Sequence, residues 1–429
     1  MLSSFSVRNF RSILELRLDF TFAEGKAPNG YKSFEVMPFL EAGGGQRLVP
    51  CTGFFGANAS GKSNILKALS TLKLLLKHGP ALTEVFEPNL LNPKFTDTTF
   101  EIEFVLNGER FNYRIVFSSS SIRDEALLKN GKPIFTIQRL IPTFATEILS
   151  PAYSQEKLSE IIRVECSDGE GRQIKPFLHR IGLGYPGLHV DLKSAFGYFE
   201  SGLIYFSNEQ PVLLPVAVEV LARSLSGDET AALREITDVV RRLDIDITAI
   251  DIVQRETAND RALIPGDVVR INPQTGIRHS LQITATHQNV SGEPTLLDFI
   301  KHESAGTQRL AGLVGLILYA LKTGGVFLVD ELECSLHPLL MREIVLLFKK
   351  RRHNPNGAQL VFTTHNTDIL DDSILRLSEI ALVRKTTANG TLVRRLVDIR
   401  NEGEDIRNVT NFRKQYLAGF YSGVPHPSL

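Results

Sequence analysis

"GANASGKS", residues 56–63, decides how this chain is read. It fits G-x-x-x-x-G-K-[ST] in full, and its flanks agree with it. "RLVPCTGFFG" (47–56) climbs into it as an apolar strand. "KSNILKALSTLKLLLKH" (62–78) leaves it with apolar residues at helical spacing and stops at Gly79-Pro80. Strand, glycine-rich loop and helix, in that order, aim backbone N–H groups at phosphates where the helix dipole favours anions. On this reading Gly56, Asn58, Ala59, Ser60, Gly61 and Asn64 form the cradle for ATP. Lys62 reaches the β- and γ-phosphates, and Ser63 holds Mg²⁺. The bland alternative is a chance glycine-rich turn, which the flanks disfavour.

Three later stretches fit the same site. "GVFLVDE" (325–331) is an apolar run ending in two carboxylates. Asp330 supplies a hard oxygen for Mg²⁺, and Glu331, one step further, polarises a water for attack on the γ-phosphate. "AQLVFTTHN" (358–366) is another apolar run and delivers His365, 34 residues past Glu331. Such runs suit central parallel strands buried on both faces. Between the two halves, "ESAGTQ" (303–308) opens the helical run "RLAGLVGLILYAL" (309–321). Ser304 reads as its N-cap, and Gly306 allows close approach.

Working outward, 429 residues with 43% hydrophobic content bury a sizeable core and allow one large domain or two. Lys+Arg and Asp+Glu balance at 48 each, so no global basic field advertises nucleic acid. Cys51, Cys166 and Cys334 lack metal-ligand spacing, which points to a reducing cytoplasm. No long uncharged apolar run predicts a membrane span. The start, 2–20, reads as two strands around "VRNFRS", followed by a polar loop near 22–47. From 98 to 140 the pattern alternates, with Asn107-Gly108 and Asn130-Gly131 at hairpin positions; this predicts an antiparallel β lobe. Residues 145–245 read as mixed and mostly helical, with Ser226 or Asp228 capping one helix, and strands return near 245–287. A last hairpin is expected at Asn389-Gly390. "KKRRH" (349–353) reads as a helix end, where cations suit the dipole, and "DILDD" (368–372) as a solvated helix end. Arg384, Lys385, Arg394 and Arg395 flank the last hairpin and leave contact with nucleic acid open.

The order of these motifs resembles that of ABC-type ATPases. Ser304-x-Gly306 before the acidic strand resembles the signature that faces the γ-phosphate held by a partner subunit. "LECSLHP" (332–338) resembles the D-loop, through Ser335, and His365 the switch histidine. Gln138 and Gln210 are the candidates for the Q-loop. More narrowly, "VRNFRSI", "ESAGTQR", "DELECSLHP" and "RKQYLAGFYSGVP" resemble the AAA15/OLD-like branch, in which Arg11 would approach the nucleotide. That resemblance implies an α/β P-loop fold: a mixed sheet, the antiparallel β lobe and a mostly helical insert. The chain then divides into 1–140, an insert at 141–290, and 291–429. It also implies a homodimer or higher homo-oligomer with ATP sandwiched between subunits, and a role in anti-phage defence. There the chain would control a separate, nuclease-like effector and answer to a phage protein, since only 64 residues follow His365 and leave no room for a nuclease module. The rival readings are a RecF- or SMC-like ATPase of DNA maintenance and a transporter motor. The missing coiled coil disfavours the SMC kind, the neutral charge the RecF kind, and the long insert with the atypical signature the transporter motor.

Overall fold

The structure is a computed structural model. It describes residues 1–23, 37, 39–91, 93–207, 214–243, 246–256, 268–271, 278–334, 336–399 and 412–421. Two compact units emerge: Met1–Tyr205 with Gly324–Leu332 and Arg342–Leu429, and Phe206–Thr323 with Glu333–Met341. This division departs from the three expected segments. Residues up to 205 join the phosphate-loop half, and the helix after Ser304 belongs to the second unit.

The first unit is built on a mixed sheet. Among the described residues its strand order is Ile141–Phe144, Lys132–Gln138, Ile122–Lys129, Glu109–Phe117, Thr98–Leu106, Leu2–Phe10, Ile13–Asp19, Gly390–Arg395, Ile380–Thr386, Cys51–Phe55, Gln359–Thr364, Val326–Val329 and Leu203–Phe206. Cys51–Phe55 pairs in parallel with Gln359–Thr364 and with Ile380–Thr386, and Val326–Val329 pairs in parallel with Gln359–Thr364. Every residue of Cys51–Phe55, Val326–Val329 and Gln359–Thr364 is buried, which is why these strands read as unbroken apolar runs. The expected α/β class, with a mixed sheet and an antiparallel β lobe, is the fold observed.

The β lobe forms where alternation and Asn-Gly turns agree. Asn107 and Gly108 stand at φ 51° and 80°, Asn130 and Gly131 at 50° and 78°. Both central residues of each turn are left-handed, so the hairpins close in two residues, Leu106 opposite Glu109 and Lys129 opposite Lys132. The last hairpin is different: Thr386 pairs with Gly390, and only Gly390, at φ 65°, is left-handed. Its turn is therefore Thr387 to Asn389.

The helix Lys62–His78 buries Ile65, Leu66, Leu69, Leu72, Leu75 and Leu76 against the sheet. Its C-cap is Gly79 at φ 55°, and the buried ring of His179 donates from Nδ1 to Leu76 O at 2.9 Å. A Cβ on Gly79 would lie 2.2 Å from that ring. His179 sits on Phe177–Gly182, one of the helices expected in the insert.

In the second unit Leu214–Arg223, Glu229–Arg242 and Ala305–Thr323 pack together. Asp228, not Ser226, caps Glu229–Arg242, its carboxylate accepting from Ala231 N at 2.9 Å. A Cβ on Gly315 would fall 2.8 Å from Ala217 Cβ, so the missing side chain lets these helices meet closely. Further on, where strands are expected near 245–287, Ala249–Glu256, Val268–Ile271 and Arg278–Gln288 form an antiparallel sheet, extended past the expected range by Pro294–Asp298.

"KKRRH" ends the helix Pro338–Lys349 as expected, and Lys349 itself is fully buried and ion-pairs with the fully buried Glu379 at 2.5 Å. "DILDD" forms turns rather than a helix end, with Asp368 paired to Arg413 at 2.8 Å.

Candidate functional site

Gly56, Asp330 and His365 follow the C-terminal ends of three adjacent strands, Cys51–Phe55, Val326–Val329 and Gln359–Thr364. Ligands of open α/β sheets bind in that crevice. The loop after Cys51–Phe55 reverses through Ala59 at φ 58° and Gly61 at φ 101°. Asn58 and Ala59 are exposed, and Ser60 is buried. Gly56 has no room for a side chain: a Cβ would lie 2.2 Å from Val383 O. Gly61 is the N-cap of Lys62–His78, and no side chain caps that helix start. Its first N–H groups are therefore left to the loop's concave side.

Lys62 is 5% exposed. Its ammonium donates to Gly56 O at 2.8 Å and Ala57 O at 3.0 Å, and lies 3.4 Å from His365 Nδ1. The cation thus folds over the loop it would serve, already beside the exposed His365.

Around Asp330, which is 8% exposed, two hydroxyl groups converge. Ser63 Oγ donates to Asp330 Oδ1 at 3.0 Å, and the fully buried Thr363 donates to the same oxygen at 2.6 Å. Thr363 Oγ1 in turn accepts from Glu331 N at 2.8 Å, and Thr363 O accepts from Leu332 N at 3.0 Å. Glu331 is held at φ 53°, a region that costs a non-glycine residue on the order of 1–3 kcal/mol. Ser63 Oγ and the Asp330 carboxylate are hard oxygens within one cation's reach, and that donor chemistry fits Mg²⁺. Thr363 carries no motif signal of its own. Its place, two residues before His365 on a strand parallel to Val326–Val329, is what could have pointed to it.

Asn64 is committed at both ends. Its Nδ2 donates to Ser12 Oγ at 2.7 Å, and its Oδ1 accepts from Arg11 Nη1 at 3.1 Å. Arg11 stands at φ 49° in the turn between Leu2–Phe10 and Ile13–Asp19, and its Nε pairs with Glu87 at 2.6 Å. Ser304 and Gly306 lie in the second unit. Ser304 is exposed and caps Ala305–Thr323, its Oγ accepting from Thr307 N at 3.1 Å. Gln138 ends a lobe strand, exposed. Ser335 and Gln210 lie outside the described residues.

No helix among the described residues is long and apolar enough to cross a membrane. The SMC head domain from Thermotoga maritima aligns at a TM-score of 0.40 and 14% identity, covering 92% of this chain and 98% of that one. The SMC head bound to the C-winged helix domain of ScpA aligns at 0.43 and 13%, with the same coverage. No curated protein matches the chain. The family model described as "AAA domain, putative AbiEii toxin, Type IV TA system" matches residues 51–160 and 232–371, more than half of the sequence. The matched segments contain the phosphate loop, Ser304, Asp330, Glu331 and His365, and the chain belongs to this family of AAA domains.

Proposed function

We propose that the chain binds ATP with Mg²⁺ and hydrolyses it in a site completed by a second copy of itself. The observation that carries this reading is the junction of Ser63, Asp330 and Thr363 beneath Glu331. Bound Mg²⁺ would neutralise phosphate charge, held through Ser63 and Asp330. Lys62 and the loop N–H groups would bind the β- and γ-phosphates. Glu331 would take the proton of the attacking water. Thr363 would aim it, because its hydroxyl fixes the Glu331 backbone. His365 would sense the γ-phosphate. The helix start at Ser304 and Gly306, with Ser335, would close on the ATP of the partner subunit, its dipole offering a second anion site.

The output we propose is control of a separate toxic effector of the nuclease kind, released on a phage-protein trigger. The family description, with its toxin and toxin–antitoxin terms, favours this over DNA maintenance.

The test mixes Ser304→Arg with Lys62→Ala chains. Each parent homodimer lacks one half of both sites, while a mixed dimer keeps one complete site. Partial recovery of ATPase activity on mixing is expected. No recovery, with mixed dimers shown to form, would return Ser304 to the role of an N-cap alone.

A further inference from the structure

Thr391, and Ser12 within "VRNFRSI", brace the phosphate loop from outside its own motif. Thr391, at the start of Gly390–Arg395, is fully buried. Its N–H donates to Ser12 O at 2.8 Å. Its hydroxyl lies 2.7 Å from Ser12 Oγ and 3.3 Å from Ser60 O. Ser12 Oγ also accepts from Asn64 Nδ2.

Donor and acceptor counting fixes the direction of this chain of bonds. The Ser60 carbonyl can only accept, so Thr391 donates to it. Thr391 then accepts from the Ser12 hydroxyl, which accepts from the Asn64 amide. The relay runs Asn64 to Ser12 to Thr391 to Ser60 with each hydroxyl used once as donor and once as acceptor, so its members polarise one another. It is anchored outside by Arg11, which donates to Asn64 Oδ1 and ion-pairs with Glu87.

The packing agrees. A Cβ on Gly61 would lie 2.0 Å from Thr391 Oγ1 and 2.9 Å from Ser12 Oγ. The two hydroxyls fill the space that a Gly61 side chain would need. Gly390 is equally confined, since a Cβ there would lie 2.3 Å from Ser12 O.

We infer that Ser12 and Thr391 are positioning residues for the phosphate loop: their hydroxyl relay fixes the Ser60 carbonyl, and so the tilt of the Gly61 and Lys62 N–H groups toward phosphate. This rests on the ATP-binding reading above. A brace on the loop acts alike on bound substrate and transition state, so its loss should appear in affinity and not in turnover.

The experiment compares wild type, Thr391→Val, Thr391→Ser and Lys62→Ala, using ATP binding, steady-state ATPase kinetics and thermal melting. Thr391→Val keeps the shape and loses the donor. It should weaken ATP binding and raise KM roughly fivefold, with kcat within about twofold of wild type. Thr391→Ser keeps the donor and should restore most of the affinity. Unchanged KM in Thr391→Val overturns the inference. Equal losses in Thr391→Val and Thr391→Ser also overturn it, because packing and not the relay would then be at work. If Thr391→Val does not fold, Ser12→Ala, at a partly exposed site, reads the same KM shift, and its absence overturns the inference. Wild type that fails to bind ATP, or Lys62→Ala that still binds it, counts instead against the ATP-binding reading itself.

Discussion

Glu331 is held where few residues rest. Its left-handed backbone is fixed by Thr363, and Thr363 also binds the carboxylate of Asp330. One buried hydroxyl therefore sets two functional groups at once. Glu331→Gln keeps the size and the backbone while removing the proposed base. ATP binding should remain near wild type while hydrolysis falls on the order of 10²- to 10⁴-fold, read by single-turnover kinetics beside nucleotide binding. Wild-type turnover would move the base elsewhere. At this scale the sequence was informative where a motif is local. Lys62, Ser63 and Asp330 announce themselves by fixed neighbours, and the structure bonds Ser63 to Asp330 and sets Lys62 beside His365. The pairing of Ser12 with Thr391 does not announce itself, since two hydroxyls 379 positions apart leave no local pattern. Lys349 is legible only as a helix end, because its partner Glu379 lies 30 residues on, under the surface.

Elements are legible when local chemistry and tertiary packing demand the same thing. The lobe hairpins are such a case, because Asn-Gly turns and alternating strands agree on the register. The second unit's sheet is legible in part: the strands expected near 245–287 are there, but Pro294–Asp298, which pairs with Arg278–Gln288, lies beyond them. Helix Phe177–Gly182 shows what pattern alone misses. It is fastened by Glu125 on strand Ile122–Lys129, whose oxygens accept from Phe177 N, Leu178 N, Gln173 Nε2 and Tyr113 Oη at 2.7 to 3.0 Å. Burial pushes the Glu125 carboxyl above its usual range, and these four donors pull it back. Glu125→Ala would leave the donors facing apolar surroundings. We expect a loss on the order of 3 kcal/mol, seen as a lower melting temperature and faster amide exchange at Phe177 and Leu178. Unchanged exchange at those two amides would show that the helix is held by apolar packing alone.

At the scale of the molecule, the phosphate loop and the helix start at Ser304 belong to different compact units. On the proposed closure of each site by a second chain, ATP becomes a component of the interface. With ATP and Mg²⁺, Glu331→Gln should run at twice the monomer mass by light scattering, and adding Ser304→Arg should return it to the mass of one chain. Equal masses with and without ATP would separate assembly from nucleotide. The sheet also has a history written into its order. Cys51–Phe55 lies between strands that begin at Gln359 and Ile380, and the hydroxyl beside Gly61 comes from residue 391. On the ribosome, the nucleotide loop must wait for a residue 331 positions beyond Ser60 before its support exists. A chain cut short by a premature stop before codon 391 would carry the whole of "GANASGKS" without its brace. Synthesis itself therefore delays the competent pocket until long after the loop has emerged.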